Sequence, residues 1–221
     1  MKYKIQVDKK IDHIGLDVDG VLADLQKYQL EKGNLYFSKK FEKKQENLIC
    51  DEKAYDIQDI YDCTRKERMD FWKKYIWEYS LLIPAREGAS DMTQKWHNEG
   101  RIVDIITSRV YVTRQDFLGL LFRTMLKIWL RKEKIYYDRI KFCSEEMSSY
   151  DKLVACKEYG TKIMCEDKID NIETISKHII IACFNANWNL NYDNPNMYRV
   201  SNFYEIDDLI QNLESLKVRR L

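Results

Sequence analysis

The stretch IGLDVDGVLAD, at residues 14–24, decides how the rest of the chain is interpreted. An apolar segment leads into two acids one residue apart, Asp17 and Asp19, and Gly20 follows them. The pattern predicts a buried strand that delivers a pair of carboxylates at its carboxyl end. Ligands of open α/β sheets bind at that end, so Asp17 is a candidate nucleophile. An ordinary strand-end turn is the alternative, because Asp and Gly both favour turns.

The composition bounds the size of the fold and the class of partner. The chain has 221 residues, of which 45% are hydrophobic, enough for one large domain or for a core with a smaller insertion. The 37 basic and 36 acidic side chains nearly cancel, which leaves a formal net charge of +1. This balance argues against a protein specialised for nucleic acid or for membrane surfaces. We therefore expect neither partner, and we expect a monomer or a homodimer.

Six cysteines are scattered along the chain, and no two of them form a Cys-x-x-Cys pair. Cys143, Cys165 and Cys183 lie in apolar runs, which favours buried free thiols over disulfides or zinc ligands. We therefore expect a reducing, cytoplasmic setting. No apolar run follows Met1, so no signal peptide is expected, and the longest apolar run, residues 179–184, is too short to cross a bilayer.

The character of the chain changes after the first acid pair. Residues 23–86 are rich in Lys, Glu, Tyr and Phe, and helical spacing is clearest at Met69, Trp72, Tyr75 and Tyr79. An aromatic stripe of this kind usually packs as the core of a helical unit, and stacking on a nucleobase is the alternative. We interpret the stretch as a helical cap of two or more helices, residues 23–86, inserted into a core made of residues 1–22 and 87–221.

Strands and helices alternate from the cap to the end of the chain. Apolar runs predict the strands, and helical spacing predicts the helices between them, the longest of which we expect to be capped by Thr113. This alternation indicates an α/β fold, a doubly wound parallel sheet of the Rossmann-like type with helices on both faces. The strands predicted after the cap cover residues 102–106, 140–143, 162–165 and 179–184, and an amphipathic helix closes the chain.

Reactive side chains follow three of the predicted strands. Thr107, Ser108 and Arg109 come after the second strand, and Glu166 and Asp167 come after the fourth. In a parallel sheet these strand ends face the same crevice as the first acid pair. Several carboxylates cannot stay ionised together without a cation, and oxygen ligands without His or Cys favour Mg²⁺. The sequence therefore predicts a magnesium site.

A magnesium ion beside a carboxylate, a hydroxyl donor and a lysine suits phosphoryl transfer. The carboxylate of Asp17 can attack phosphorus, and Asp19 can protonate the leaving oxygen and then activate water. Lys152, at the start of a predicted helix, is the favoured phosphate lysine, and Lys157, in the middle of that helix, is the alternative. Arg109 can pair with a phosphate or with a neighbouring acid, and the sequence does not distinguish between these two roles.

These motifs resemble those of the haloacid dehalogenase superfamily of phosphatases. Its first motif, an apolar strand followed by Asp-x-Asp-Gly, fits residues 16–20, and its second, an apolar strand that ends in Thr or Ser, fits residues 105–107. A lysine comes third, and the fourth motif, a strand that ends in two acids, fits residues 163–167. Four elements in order are a far more specific signal than Asp-x-Asp-Gly alone.

The closer resemblance is to 5'-nucleotidases of the deoxyribonucleotidase (type C) kind and their bacterial relatives, over residues 17–24, 106–109, 166–172 and 183–186. It implies that Asp17 is the nucleophile and Asp19 the general acid and base. It also implies that Mg²⁺ is held by the Asp17 carboxylate, the Asp19 backbone carbonyl and an acid of the fourth motif, Glu166 or Asp167. Thr107 and Ser108 would then hold the phosphate together with the lysine.

The chain departs from that branch at two positions. The animal enzymes have a phenylalanine against the base where this chain has Leu25, and a proline where it has Arg109. We expect Leu25, Arg109 and Trp72 to line the substrate pocket. The resulting hypothesis is a Mg²⁺-dependent phosphomonoesterase for nucleoside 5'-monophosphates. The alternatives are a phosphatase for a sugar phosphate or other small phosphoester, a dehalogenase, which gives Asp19 no task, and a binding module without catalysis.

Overall fold

Six parallel strands form one sheet in the order β3-β2-β1-β4-β5-β6. The computed structural model describes residues 10–44 and 50–218. The expectation that the chain has no signal peptide concerns its first residues, which lie outside these ranges. The order is that of a doubly wound Rossmann-like sheet, as predicted, and the direction of winding reverses between β1 and β4. The strands are β1 (His13–Leu16), β2 (Ile102–Thr107), β3 (Arg139–Phe142), β4 (Ile163–Glu166), β5 (Ile180–Phe184) and β6 (Met197–Val200).

Alternate residues along the central strands belong to two separate cores. Leu16, Ile105 and Cys165 lie in one row of the sheet and pack in the larger apolar cluster. Their neighbours Ile106 and Met164 pack in the second cluster, on the opposite face. Both faces are therefore covered, which explains why the central strands are mostly apolar on both sides.

The helices lie between the strands and in the insertion that follows β1. The insertion holds the first three, and the others alternate with the strands as the pattern predicted, except that no helix separates β5 from β6. The helices are α1 (Leu25–Lys44), α2 (Ile57–Ile60), α3 (Arg65–Leu82), α4 (Ala89–Asn98), α5 (Phe117–Lys132), α6 (Ser148–Tyr159), α7 (Ile169–Ile175) and α8 (Phe203–Val218).

Aromatic side chains form the interior of the insertion. The ring of Phe37 on α1 stacks on Tyr61 at 4.7 Å and on Phe71 of α3 at 6.1 Å between centroids. At the two ends of the insertion, Ala23 and Ala85 form an antiparallel bridge, so the outgoing and returning chains run side by side. The division of the chain at residues 22/23 and 86/87 stays a prediction.

One local prediction was wrong, and one strand was missed. Helix α5 begins after Asp116, whose carboxylate accepts a hydrogen bond from the Gly119 N–H at 3.0 Å, whereas Thr113 lies in the preceding turn. The edge strand β6 was not predicted, because only its first and last residues are buried and it follows a polar loop.

None of the six cysteines, all of which lie within the described residues, forms a disulfide, and five of them are buried. Cys143, Cys165 and Cys183 are among the buried five, as the apolar runs around them indicated, and Cys50 is exposed. Burial raises the pKa of the Cys143 thiol to about 12. Buried thiols of this kind behave as small apolar groups rather than as nucleophiles.

No helix in the described part of the chain has both the length and the apolar character that crossing a membrane requires.

Candidate active site

Asp17 is the residue directly after β1. Its backbone N–H donates a hydrogen bond to the Cys165 carbonyl of β4 at 3.1 Å. Lys152, on the first turns of α6, is 1% exposed, and its Nζ lies 2.7 Å from Asp17 Oδ2 and 2.7 Å from Glu166 Oε2. Burial alone would lower the pKa of Lys152, but the two carboxylates outweigh it and raise that pKa. The lysine is therefore a buried cation shared by two strand ends.

Of the two candidate lysines, the structure brings Lys152 to the acids, whereas Lys157 is exposed on the other side of α6. Glu166 is fully engaged, because its Oε1 also accepts hydrogen bonds from the backbone N–H groups of Asp167 and Lys168, each at 3.1 Å. Burial would raise the pKa of Glu166, but the Lys152 ammonium and these hydrogen bonds hold that pKa below its ordinary value. Glu166 is thus an ionised counterion.

Among the described acids of the site, Asp167 is the one whose carboxylate has no hydrogen-bond partner on either oxygen. Both of its carboxylate oxygens, and Oδ1 of Asp17, are buried with no hydrogen-bond partner among the described residues. One oxygen from each of Asp17, Glu166 and Asp167 lies within 4.8 Å of the others. Burial raises the pKa of Asp17 to about 7 and that of Asp167 well above its usual range. Unpaired buried oxygens at this spacing fit a hard divalent cation such as Mg²⁺.

Contacts from two segments of the chain fix the position of Asp167. Gly20, with φ of +89°, lies so close to Asp167 that an added Cβ would overlap its carboxylate. On the other side, Trp188 Nε1 and Asn189 Nδ2 donate hydrogen bonds to the Asp167 carbonyl at 3.0 and 2.8 Å. The backbone that carries the free carboxylate is therefore held in place while its side-chain oxygens stay available.

Asp19 faces the insertion rather than the acidic cluster. Its Oδ1 accepts a hydrogen bond of 2.6 Å from the Tyr79 hydroxyl on α3, and Arg109 Nε lies 3.3 Å from the same oxygen. Burial, and then the Asp19 charge, raise the pKa of Tyr79 well above its usual value, so its hydroxyl stays a donor. The side chain of Asp19 is thus separate from the cluster that fits a cation.

The predicted phosphate-binding hydroxyls lie at the end of β2 and just beyond it. Thr107 is completely buried, and its Oγ1 has no hydrogen-bond partner in the described part of the chain. Ser108 is half-buried and accepts a hydrogen bond of 2.8 Å from the Ser148 hydroxyl on α6. Thr107 therefore presents an unused donor next to the strand ends that carry the acids.

The three predicted pocket residues have different surroundings. Leu25, the first residue of α1, is buried in the larger apolar core, and Trp72 is half-buried with its ring 5.7 Å from that of Tyr79. Arg109 is buried between aromatic rings and beside Asp19. Only Arg109 of the three is in contact with an acid of the first motif.

Two tyrosines of the insertion were not predicted as site residues. Tyr79 belongs to the aromatic stripe that we assigned to packing, and it also donates to Asp19. Tyr55 packs its ring on Trp188 at 4.9 Å, and burial, followed by the charge of Asp167, raises its pKa well above the usual value. Sequence spacing could have pointed to Tyr79, but Tyr55 stands in a loop and shows no periodic signal.

Comparisons with known proteins identify the class of fold. No protein-family model and no curated protein sequence matches the chain. Solved structures do match: a protein from Clostridium difficile assigned as a phosphatase has a TM-score of 0.59 at 14% identity, over 92% of this chain and 100% of its own.

Two further structures agree with that match. A HAD-superfamily hydrolase from Ehrlichia chaffeensis has a TM-score of 0.52 at 13% identity, over 94% of this chain and 99% of its own. CbbY from Rhodobacter sphaeroides, solved in complex with phosphate, has a TM-score of 0.51 at 14% identity, over 89% of this chain and 96% of its own. The chain therefore has the fold of haloacid dehalogenase-type hydrolases, and identities this low support the fold and nothing finer.

Proposed function

We propose that this protein is a Mg²⁺-dependent phosphomonoester hydrolase that acts through an aspartyl-phosphate on Asp17. The arrangement around Lys152 carries the proposal. Its ammonium binds one oxygen of Asp17 and one of Glu166, while Asp17 Oδ1 and both Asp167 oxygens have no partner in the described structure. A purely structural ion pair would leave no buried carboxylate unsatisfied.

The unpaired oxygens are those that would hold the cation. Asp17 Oδ1 and Asp167 would hold Mg²⁺ together with the Asp19 backbone carbonyl, and Glu166 would keep Lys152 in position. Bound Mg²⁺ would neutralise the charge of the substrate phosphate beside the carboxylates. Lys152 would balance the remaining charge, and the Thr107 hydroxyl and Ser108 would donate hydrogen bonds to the phosphate oxygens.

The chain's own acids divide the chemistry. Asp17 attacks phosphorus as the bond to the leaving oxygen breaks, and Asp19 gives its proton to that oxygen. Asp19 then takes a proton from water as the water attacks the phosphorus of the aspartyl-phosphate, which releases phosphate and restores Asp17. Tyr79 donates a hydrogen bond to Asp19, and Arg109 forms an ion pair with it. Because Tyr79 belongs to the insertion, the insertion contributes to the environment of the proton donor.

The substrate class follows less directly from the site. The resemblance of the motifs favours nucleoside 5'-monophosphates, including deoxyribonucleotides, and Tyr55 and Trp72 offer aromatic surface in the insertion. A sugar phosphate or another small phosphoester fits the same machinery, because Leu25 is buried in the core where the nucleotidases have an aromatic residue against the base. One structural neighbour is assigned as a phosphoglycolate phosphatase, from Haemophilus somnus.

The decisive experiment replaces Asp17 by Asn and measures hydrolysis of p-nitrophenyl phosphate with Mg²⁺. We expect a loss of at least about 10³-fold in kcat, since the nucleophile is removed without a change of shape. Acid quenching should trap phosphate on the wild-type protein and none on the variant. Asp170→Asn, an exposed acid three residues beyond Asp167, is the control and should retain wild-type activity.

Two outcomes would contradict the proposal. Undiminished turnover by a folded Asp17→Asn protein would remove Asp17 from the chemistry. Mg²⁺ binding without turnover over a broad panel of phosphomonoesters would favour the alternative of a binding module. Thermal unfolding of each variant separates loss of chemistry from loss of fold.

A further inference from the structure

We propose that Arg109 binds a second anionic group, carried by the leaving group of the substrate, so that the preferred substrates are phosphomonoesters with an additional carboxylate or phosphate. This inference rests on the proposed phosphatase function and narrows its substrate class. It begins from a charged side chain whose donors have no hydrogen-bond partner among the described residues.

The guanidinium of Arg109 is buried and unsatisfied. The residue is 4% exposed, and Nε, Nη1 and Nη2 have no hydrogen-bond partner in the described part of the chain. Arg101 is almost equally buried, at 6% exposure, but its Nη1 donates to the Ile11 carbonyl at 2.5 Å and to Glu214 at 2.7 Å. A buried guanidinium that makes no hydrogen bond is costly even beside a carboxylate, so Arg109 has the character of an incomplete binding site.

Aromatic rings hold this guanidinium in one place. Its Cζ lies 4.8 Å from the ring centroid of Tyr79, on the insertion, and 6.0 Å from that of Trp129, on α5. Contact with aromatic faces fixes an arginine and leaves the N–H groups in its plane free to bind an anion. The nearest carboxylate, Asp19 Oδ1, is 3.3 Å from Nε but is not aligned with the N–H as a hydrogen bond requires.

The position of Arg109 separates it from the transferred phosphate. Lys152 serves Asp17 and Glu166, where the proposed reaction takes place at phosphorus. Arg109 lies beside Asp19, the proposed proton donor, and a proton donor must face the leaving oxygen. The donors of Arg109 therefore belong to the leaving-group side of the site.

The planar fork of an arginine matches the paired oxygens of a carboxylate or phosphate. A substrate with such a group would satisfy the buried donors, whereas a neutral leaving group would leave them unpaired. Hydrogen bonds to charged groups are worth about tenfold to a hundredfold in affinity, so a preference of that size in kcat/KM is expected.

The test compares matched substrates on the wild-type protein with Mg²⁺. One pair is 2-phosphoglycolate against 2-hydroxyethyl phosphate, which differ in a carboxylate, and the other is a nucleoside 3',5'-bisphosphate against its 5'-monophosphate. We expect the anionic member of at least one pair to have about a tenfold or greater advantage in kcat/KM. The pair that shows it identifies carboxylate or phosphate as the recognised group.

Failure of this inference differs from failure of the proposed function. If p-nitrophenyl phosphate is hydrolysed but neither anionic member is preferred, Arg109 does not select anions, and the phosphatase assignment stands. If no phosphomonoester is hydrolysed, both proposals fall.

Variants of Arg109 test the residue itself. Arg109→Gln should reduce the ratio of kcat/KM between anionic and neutral substrates to near one, and Arg109→Lys should retain part of it. Arg114→Gln, an exposed arginine that pairs with Asp116, should leave the ratio unchanged. An equal loss of kcat/KM on both members of a pair would mean that Arg109 supports Asp19 or binds the transferred phosphate. That result would overturn the inference. The wild-type comparison decides the matter if Arg109→Gln does not fold.

Discussion

Gly20 makes room for the acid that completes the proposed cation site. Its φ of +89° lies in the left-handed region, which residues with a Cβ rarely adopt, and the space where a Cβ would stand is filled by the Asp167 carboxylate. The glycine of the Asp-x-Asp-Gly motif thus has two roles, a turn and a close approach. The second role links residues at the ends of β1 and β4.

Gly20→Ala should weaken Mg²⁺ binding because it displaces Asp167. We expect at least about a tenfold loss of affinity by titration calorimetry, and a loss of about 1–3 kcal/mol in the free energy of unfolding from backbone strain. Gly100→Ala is the matched control, since Gly100 has φ of +73° but nothing within 4 Å of the added Cβ. Wild-type Mg²⁺ affinity in Gly20→Ala would show that Asp167 does not need this contact.

Helix α3 connects the insertion to the site. It begins with a capping box between Thr64 and Glu67, which fixes its first turn, and it presents Tyr79 near its last turn. The 2.6 Å hydrogen bond from Tyr79 to Asp19 joins this helix to the end of β1. The position of α3 therefore affects Asp19, the proposed proton donor.

Tyr79→Phe should impair proton transfer more than substrate binding. The ring would keep its contacts with Tyr28 and Trp72, at 4.9 and 5.7 Å, while Asp19 would lose its charge-assisted hydrogen bond. We expect kcat to fall by about tenfold with KM nearly unchanged. Tyr28→Phe is the control, because the Tyr28 hydroxyl donates to the Tyr75 carbonyl, away from the acids. Equal effects of both changes would mean that Tyr79 only stabilises the insertion.

The elements that could be predicted from the sequence are those with a strong local signal. Strands β1, β2, β4 and β5 are mostly apolar runs that are buried over nearly all of their length, and such runs are recognisable without tertiary information. In the edge strand β6, half-buried Tyr198 and exposed Arg199 interrupt the apolar pattern. The start of α5 depends on which of several polar residues caps it, and the chain offers both Thr113 and Asp116 as candidates.

The composition of the site was predictable, but the pairing within it was not. Parallel strands bring their carboxyl ends together, which places Asp17, Thr107 and the two acids of the fourth motif in one crevice. The sequence does not show which acid takes the lysine, since that depends on where α6 packs. The structure pairs Lys152 with Glu166 and, within residues 10–44 and 50–218, gives the Asp167 carboxylate no hydrogen-bond partner.

At the scale of the whole molecule, both connections between the sheet and the insertion are tied to the core. Ala23 bridges Ala85, the Arg86 N–H donates to the Leu22 carbonyl at 2.8 Å, and Trp129 Nε1 donates to the Ile83 carbonyl at 2.7 Å. These bonds hold the insertion where Tyr79 reaches the first motif. The site is thus built jointly by the sheet and by the segment inserted into it.

Carboxylates outnumber cations in this site, so the folded protein should gain stability from a divalent ion. A ligand at one hundred times its dissociation constant adds about 2.7 kcal/mol, which for a chain of this length raises Tm by about 5–10 °C. We expect that shift at pH 8 when excess Mg²⁺ replaces a chelator. Asp167→Asn should abolish it, and Asp170→Asn, an exposed acid, should retain it.

The size of the Mg²⁺ shift should depend on pH with a definite sign. Burial raises the pKa of Asp17 from 3.8 to about 7, so the carboxyl is protonated at pH 5.5 and Mg²⁺ must displace a proton to bind. In the metal-free protein the raised pKa favours the folded state at low pH, and this contribution is lost as the pH rises through about 7. Scanning calorimetry should therefore show a metal-free Tm that falls between pH 5.5 and 8, and a Mg²⁺ shift that grows over the same range. A shift of equal size at both pH values would mean that the cation does not bind at Asp17 and Asp167.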